Sequence, residues 1–289
     1  MNVDRASDRR VDLERAYVLC RRVHRWHGRS FSLATSVLPA HSRRHVSALY
    51  AFARYADDIV DEPEWAGRRH EALYNMRRRF ETDFVRGAST HPLLAATIDT
   101  IQRFDLGMAP FDRFFAAMEC DLDHTPFASW SALLEYMDGS AAVIGEMMLP
   151  ILCPDDGAAA LQPARQLGRA FQLTNFLRDL GEDMGRGRMY LPSDEIAHFG
   201  ADAALEARHV SPEFVALMQV HIDRARTLYQ AAEPGIAQLH GRSAACVRLA
   251  SGLYAAILRD IERHGYDLFT RRARVTPLRR VGVIFRGPS

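Results

Sequence analysis

The stretch SALYAFARYADDIVDEP, residues 47–63, constrains the fold more than any other part of the chain. Tyr50, Arg54, Asp57, Asp58 and Asp61 stand at relative positions 0, 4, 7, 8 and 11, the repeat of one face of an α-helix. Leu49, Ala51, Phe52, Ala53, Ala56, Ile59 and Val60 fill the rest, so this helix has no solvent face except the polar stripe itself. The stripe faces either water or a cavity inside the protein.

A second segment, FQLTNFLRDLGEDMGRGRMYLP (171–192), repeats the pattern: Gln172, Asn175, Asp179 and Asp183 stand at 0, 3, 7 and 11, with Phe171, Leu173, Phe176, Leu177 and Leu180 around them. A solvated acidic helix end is the ordinary reading of either motif alone. Two such helices, each with acids four apart near its C-terminal end, suggest facing walls of one site. Carboxylates at that spacing suit a hard cation, Mg2+ or alternatively Mn2+, that keeps room for substrate phosphates. Acids at a helix C-terminus also sit against the negative end of the dipole and call for a cation. Arg54 and Arg178 stand beside the acids to hold phosphate charge. A calcium loop of the EF-hand type is excluded, because neither stretch has oxygen ligands at alternating positions around a central glycine. An all-helical cavity of this kind suits ionisation of an allylic diphosphate, with aromatic faces such as Phe31, Phe52, Phe176 and Tyr254 beside the cation, although each aromatic alone reads equally as core.

The bulk numbers agree. The 37 basic and 36 acidic residues leave a formal charge of +1, which argues against a nucleic-acid binder acting through a one-sided field. All the basic residues are arginine. With no lysine, a Walker-type phosphate loop, a pyridoxal Schiff base and a lysine nucleophile are excluded together. Cys20, Cys120, Cys153 and Cys246 are scattered among apolar neighbours and read as reduced core thiols of a cytoplasmic protein. No signal-peptide pattern and no apolar run of membrane-spanning length occurs, so the chain reads as soluble, or at most in peripheral membrane contact. The arginine-rich end, RRARVTPLRRVGVIFR (271–286), reads either as a contact for an anionic surface or as a disordered basic tail.

Helical periodicity predicts helices over 12–27, 41–61, 66–86, 109–121, 129–149, 157–184, 211–238 and 241–265, with no strand pattern. Asp61-Glu62-Pro63, His91-Pro92, the Gly107 to Pro110 stretch, the Pro154 to Gly157 stretch and Gly185-Arg186-Gly187 read as breakers. No linker divides two composition zones. The expectation is a single all-α domain over 1–289, with its core at about 12–275 and a basic tail at 276–289.

At these residues the sequence resembles the squalene/phytoene synthase family, most of all its bacterial phytoene synthases. The match runs from about Leu19 to Arg274 through HGRSFSLAT (27–35), YAFARYADDIVDE (50–62), YMDGSAAVIGEMMLPIL (136–152), the second acidic segment (171–192) and LYAAILRDIERHGYDLFTRRARV (253–275). The resemblance implies that Asp57, Asp61, Asn175, Asp179 and Asp183 hold Mg2+ and diphosphate, with Asp58 in support. It implies that Arg54, Arg178 and Arg271 contact diphosphate, that Arg29 and Ser30 cap one diphosphate site, and that Tyr50, Phe31, Tyr136, Gln172 and Tyr254 line the central cavity of an isoprenoid synthase-type helical bundle. The implied reaction condenses two geranylgeranyl diphosphates head to head, through prephytoene diphosphate, to phytoene in carotenoid biosynthesis, with no NADPH. Asp138 and Glu146 depart from the family pattern. Asp138 reads as exposed or paired with an arginine, while Glu146, in an apolar run, is costly if buried without a partner and alters substrate length or product if it borders the channel.

The rival readings are a farnesyl-using squalene synthase, a terpene cyclase suggested by the 0, 4, 8 spacing of Asn175, Asp179 and Asp183, and a non-catalytic interaction protein on the same fold. Oligomeric state stays open.

Overall fold

The computed structural model describes residues 11–123, 125–153 and 157–273. Most of these are helical, and no strand occurs among them, as the periodicity predicts. They gather into two compact units.

The first unit runs to Ser32 and resumes over Pro39–Gly107. It holds α1 (Leu13–His27), the start of α2 (Arg29–Thr35), α3 (Ala40–Asp61), α4 (Arg69–Arg86) and α5 (Pro92–Phe104). Asp12 opens α1 by accepting hydrogen bonds from the backbone N–H groups of Glu14 and Arg15. Glu62, in an extended conformation ahead of Pro63, closes α3. Small residues let α1, α3 and α5 approach closely: Ala16 and Cys20, Ala48 and Ala51, and Ala96 share one buried cluster with Tyr17. The Tyr17 hydroxyl is satisfied inside it, donating to Asp99 Oδ2 at 2.5 Å and lying 3.0 Å from His45 Nδ1.

The second unit holds Leu33–Leu38 and the described residues from Met108 onward. Its elements are α6 (Ala109–Asp123), α7 (Trp130–Met137), a π-helical turn (Asp138–Ala142), α8 (Val143–Leu152), α9 (Leu161–Gly185), α10 (Ser193–Phe199), α11 (Asp202–Glu206), α12 (Pro212–Gln238) and α13 (Gly241–Arg263). Helix α9 is the hub, packed against α8, α12, α13 and the π-helical turn. Glycines make that possible. A Cβ built on Gly145 would lie 2.2 Å from the Ala164 carbonyl oxygen, and one on Gly168 would lie 2.3 Å from that of Ala141.

The eight expected helices are present, with differences that have physical causes. The span 129–149 is interrupted by the π-helical turn, and Gly67, at φ +80°, holds back the start of α4. Helix α5 was not expected, because His91-Pro92 looks like a breaker. In fact the His91 side chain caps the helix and Pro92 is its first residue, where a missing N–H costs nothing. Helices α2, α10 and α11 are too short to carry a periodic signal. Cys20 and Cys246 are buried and all four cysteines are free, but Cys120 is exposed and Cys153 half-buried, against the expectation of four core thiols. No described helix is long and apolar enough to cross a membrane. The Pro154 to Asp156 stretch and the tail from residue 274 lie outside the described residues.

Candidate active site

In the first unit the α3 stripe takes shape as its spacing predicts. Tyr50, Arg54, Asp57, Asp58 and Asp61 are all half-buried, whereas Leu49, Ala51, Phe52, Ala56, Ile59 and Val60 are buried. Phe52 is core, 5.0 Å from Phe80 between ring centroids. Arg54 Nη2 pairs with Asp58 Oδ1 at 2.5 Å and reaches Glu62 Oε1 at 3.4 Å. Burial works against the Arg54 charge, but Asp58 and Asp57 beside it win and hold its pKa above the ordinary value. The carboxyl of Asp58 is pushed up by burial, with Arg54 pulling the other way.

Tyr50 stacks on His24, with ring centroids 4.3 Å apart and planes 23° from parallel. Gly28 leaves room for that ring: a Cβ there would lie 2.8 Å from the Tyr50 hydroxyl. Burial lowers the His24 pKa to about 4, so the imidazole is neutral near pH 7. Helix α2 follows Gly28 directly and presents Arg29 exposed, with Ser30 and Phe31 half-buried.

In the second unit α9 carries the other stripe, with Gln172, Asn175, Asp179 and Asp183 all half-buried. Asp179 is held from two sides. Arg178 grips it through Nε to Oδ1 at 2.7 Å and Nη2 to Oδ2 at 2.5 Å, and Arg272 donates its Nε–H to Oδ1 at 2.7 Å. Burial alone would raise the Asp179 pKa, yet the two guanidinium groups bring it below the ordinary carboxylate value. Burial also opposes the Arg178 charge, and Asp179 overrides it to raise that pKa. Tyr254, buried beside Arg178, is pushed up by burial while the guanidinium opposes the shift.

The position of Arg272 has a local cause. The backbone at Leu268 crosses α9 at Gly181, where a Cβ would lie 2.2 Å from the Leu268 carbonyl oxygen. Arg271, the expected diphosphate contact, pairs with buried Asp260 on α13 at 3.0 Å. The sequence reading missed Arg272, whose signal is simply its adjacency to Arg271.

Tyr136 is buried in an aromatic group with Phe127, Phe176 and Tyr190, in which Phe176 and Tyr190 stack at 4.1 Å. Its hydroxyl donates to Asp121 Oδ2 at 2.5 Å, and the Tyr190 hydroxyl reaches Asp121 Oδ1 at 3.5 Å. Asp121 was also missed; nothing in its local sequence marks it.

The departures at Asp138 and Glu146 resolve into one charge cluster. Arg165 donates to Asp138 at 2.5 Å and to Glu146 at 2.9 Å. Arg113 reaches the same pair at 3.3 and 2.7 Å, and Arg169 donates to Asp138 at 2.7 Å. Glu146 is therefore neither unpaired nor costly in the way its apolar surroundings suggest, and of the two readings of Asp138 pairing holds: it is half-buried among three arginines.

Among the described residues no three His, Cys, Asp or Glu side chains gather closely enough to hold a metal ion alone. Asn175 Oδ1, however, is buried and lacks a hydrogen-bond partner, four residues before Asp179. An orphaned amide oxygen beside carboxylates fits a hard cation that takes one or two protein ligands and completes its shell with phosphate oxygens and water. It does not fit a closed all-protein cage.

These helices and their two acidic stripes define an all-α protein of the isoprenoid synthase type. Residues 24–279 match the family model described as squalene/phytoene synthase, and the chain belongs to that family. It is 34% identical over 273 residues to a phytoene synthase of Arthrospira platensis, covering 90% of this chain and 88% of that one. It is 32% identical over 289 residues to a 15-cis-phytoene synthase of Synechococcus elongatus, covering 96% and 94%. A dehydrosqualene synthase solved in complex with a ligand superposes with a TM-score of 0.87 at 28% identity, covering 94% of this chain and 95% of that one.

Proposed function

We propose that the protein is a prenyltransferase that joins two geranylgeranyl diphosphates head to head, giving phytoene through prephytoene diphosphate. The two cyanobacterial relatives named phytoene synthase support the product. The α9 stripe supports the chemistry, above all the unpartnered Asn175 Oδ1 beside an Asp179 gripped by two arginines. The family match passes through both compact units, so we read them as one condensing domain.

In this reading Asp57 and Asp61 on α3, supported by Asp58, would hold Mg2+ brought in with a diphosphate, and so would Asn175, Asp179 and Asp183 on α9. Mg2+ there supplies Lewis-acid stabilisation of the departing diphosphate. Arg54, Arg178 and Arg271 contact the diphosphates, joined by Arg272, which like Arg178 stands against Asp179 and turns to phosphate oxygens as these arrive, a geometry that guanidinium groups suit better than ammonium groups. Arg29 and Ser30 cap the diphosphate. Tyr50, Phe31, Gln172 and Tyr254 border the isoprenoid chains, and the Tyr136 aromatic group keeps the reacting carbons dry. Each half-reaction releases one diphosphate and one proton, so no reductant is consumed. Membrane contact by a protein with a hydrocarbon product is part of the same reading.

A second reading is a farnesyl-using member, favoured by the likeness to the dehydrosqualene synthase structure. Offering geranylgeranyl and farnesyl diphosphate separately, with Mg2+ and without NADPH, and identifying the hydrocarbon by mass spectrometry separates the two. Phytoene from the longer substrate supports the first reading, and product from farnesyl diphosphate alone supports the second.

A further inference from the structure

The buried side of α1 is Ala16, Tyr17, Cys20 and His24. Opposite it, Arg15, Val18, Leu19, Arg22 and Trp26 recur at 0, 3, 4, 7 and 11, one outward stripe on which arginine alternates with exposed apolar side chains. Trp26 is 80% exposed, and Val18 and Leu19 are 36% and 38% exposed. Arg25 flanks the stripe and is exposed too. The charge continues past the helix. A cleft of about 330 Å³ beside Val18 is lined by Arg21, His41, Arg43 and Arg44, with Glu14 as its one carboxylate.

We infer that the outward face of α1 docks on the interface of an anionic bilayer, with Trp26, Leu19 and Val18 entering the headgroup layer and Arg22, Arg25 and Arg21 on lipid phosphates. The inference rests on the membrane contact proposed above and assigns it a surface. A tryptophan at one end of an arginine-bearing helix face is what an interfacial helix requires, because the indole sits at headgroup depth and arginine stems lie along apolar surface while their heads stay on charge. A second copy of the chain is the poorer occupant. An isologous contact through this face would set one arginine-bearing patch against the same arginine-bearing patch, like charge on like charge. The segment 1–10 is poorer still, since MNVDRASDRR carries three arginines and little apolar surface to cover Trp26.

The test is sedimentation of the full-length protein with vesicles of phosphatidylcholine and phosphatidylglycerol in equal parts, against vesicles of phosphatidylcholine alone. The wild type is expected to bind the mixed vesicles and to release them in high salt. Arg22→Glu with Arg25→Glu should lower the partition coefficient by at least about twenty-fivefold, at roughly fivefold per arginine removed. Arg22→Gln with Arg25→Gln should act in the same direction, and Trp26→Ser should weaken binding to mixed vesicles several-fold. All should leave the melting temperature and detergent-dispersed activity unchanged. The inference is overturned if the wild type ignores mixed vesicles. It is equally overturned if Arg279→Glu with Arg280→Glu in the basic tail abolishes binding while the α1 variants retain it, or if the α1 variants change only the oligomeric mass. Only the first of these outcomes also removes the membrane contact itself.

Discussion

Arg272 donates its Nε–H to Asp179 Oδ1 at 2.7 Å across 93 residues of sequence, so the segment after α13 completes the charge balance of an acidic helix that it follows in the chain. Arg178 grips the same carboxylate, which leaves Asp179 with both oxygens occupied by guanidinium groups. In the proposed reaction those arginines exchange the carboxylate for incoming phosphate. Arg272→Ala should therefore lower kcat/KM for the diphosphate substrate by about one to two orders of magnitude, while Arg272→Lys should recover only part of it, because an ammonium cannot make the forked contact. Steady-state kinetics over a range of substrate concentrations checks this.

The same carboxylate should leave a mark on acid stability. The Asp179 pKa in the folded chain lies below its ordinary 3.8. A group with a depressed folded pKa contributes fully above its unfolded value, and the contribution is lost as the pH falls through the lower folded one. Asp179→Asn should flatten the melting-temperature curve at and below about pH 4 and leave its slope near neutrality alone.

His24 gives a separate and higher window. Burial lowers its pKa from 6.5 to about 4, so the unfolded chain takes up the proton first as the pH falls. Stability from this residue is complete above pH 6.5 and declines down to about 4. In His24→Gln the slope across that interval should fall by close to one proton, as read from unfolding free energies at several pH values.

Gly181 should tolerate no side chain. A Cβ would meet the Leu268 carbonyl oxygen at 2.2 Å, a backbone atom that cannot swing aside. Gly181→Ala should cost about 1–3 kcal/mol of stability through forced displacement of the crossing segment. It should also lower activity, because Arg272 travels with that segment. Gly187, at φ +76° with open space around it, is the control: alanine there should cost through backbone strain without the loss of activity.

The cluster of Asp138 and Glu146 with three arginines should behave as a unit. Asp138→Ala leaves Arg165 and Arg169 without their shared acceptor and should cost about 1–3 kcal/mol, the range for hydrogen bonds to charged groups that are part-exposed. Glu146→Leu removes one acceptor from Arg113 and Arg165 but leaves each its bond to Asp138, so it should cost less. Urea titration of both variants decides the order.

What could be read from the sequence follows the range over which each signal acts. The stripes on α3 and α9 were legible because polar residues recurring on otherwise apolar helices leave one arrangement, and the structure places all of them half-buried on their helices. Helix α5 was not legible, since the His91-Pro92 pair that caps and opens it reads equally as a breaker. The partners of Asp138 and Glu146 come from α6 and α9, and Asp121 meets Tyr136 across elements, so nothing local announces them. Arg271 and Arg272 are neighbours in sequence with different partners, Asp260 and Asp179, a distinction set by the backbone crossing at Gly181.

The most direct measurement is hydrocarbon formation by the purified protein from geranylgeranyl diphosphate, with Mg2+ and no reductant, in the wild type, Asp57→Asn and Asp179→Asn. Phytoene from the wild type, with a loss of at least about two orders of magnitude in each variant, is the predicted result. No phytoene from the wild type, or undiminished product after removal of either carboxylate, would contradict the account.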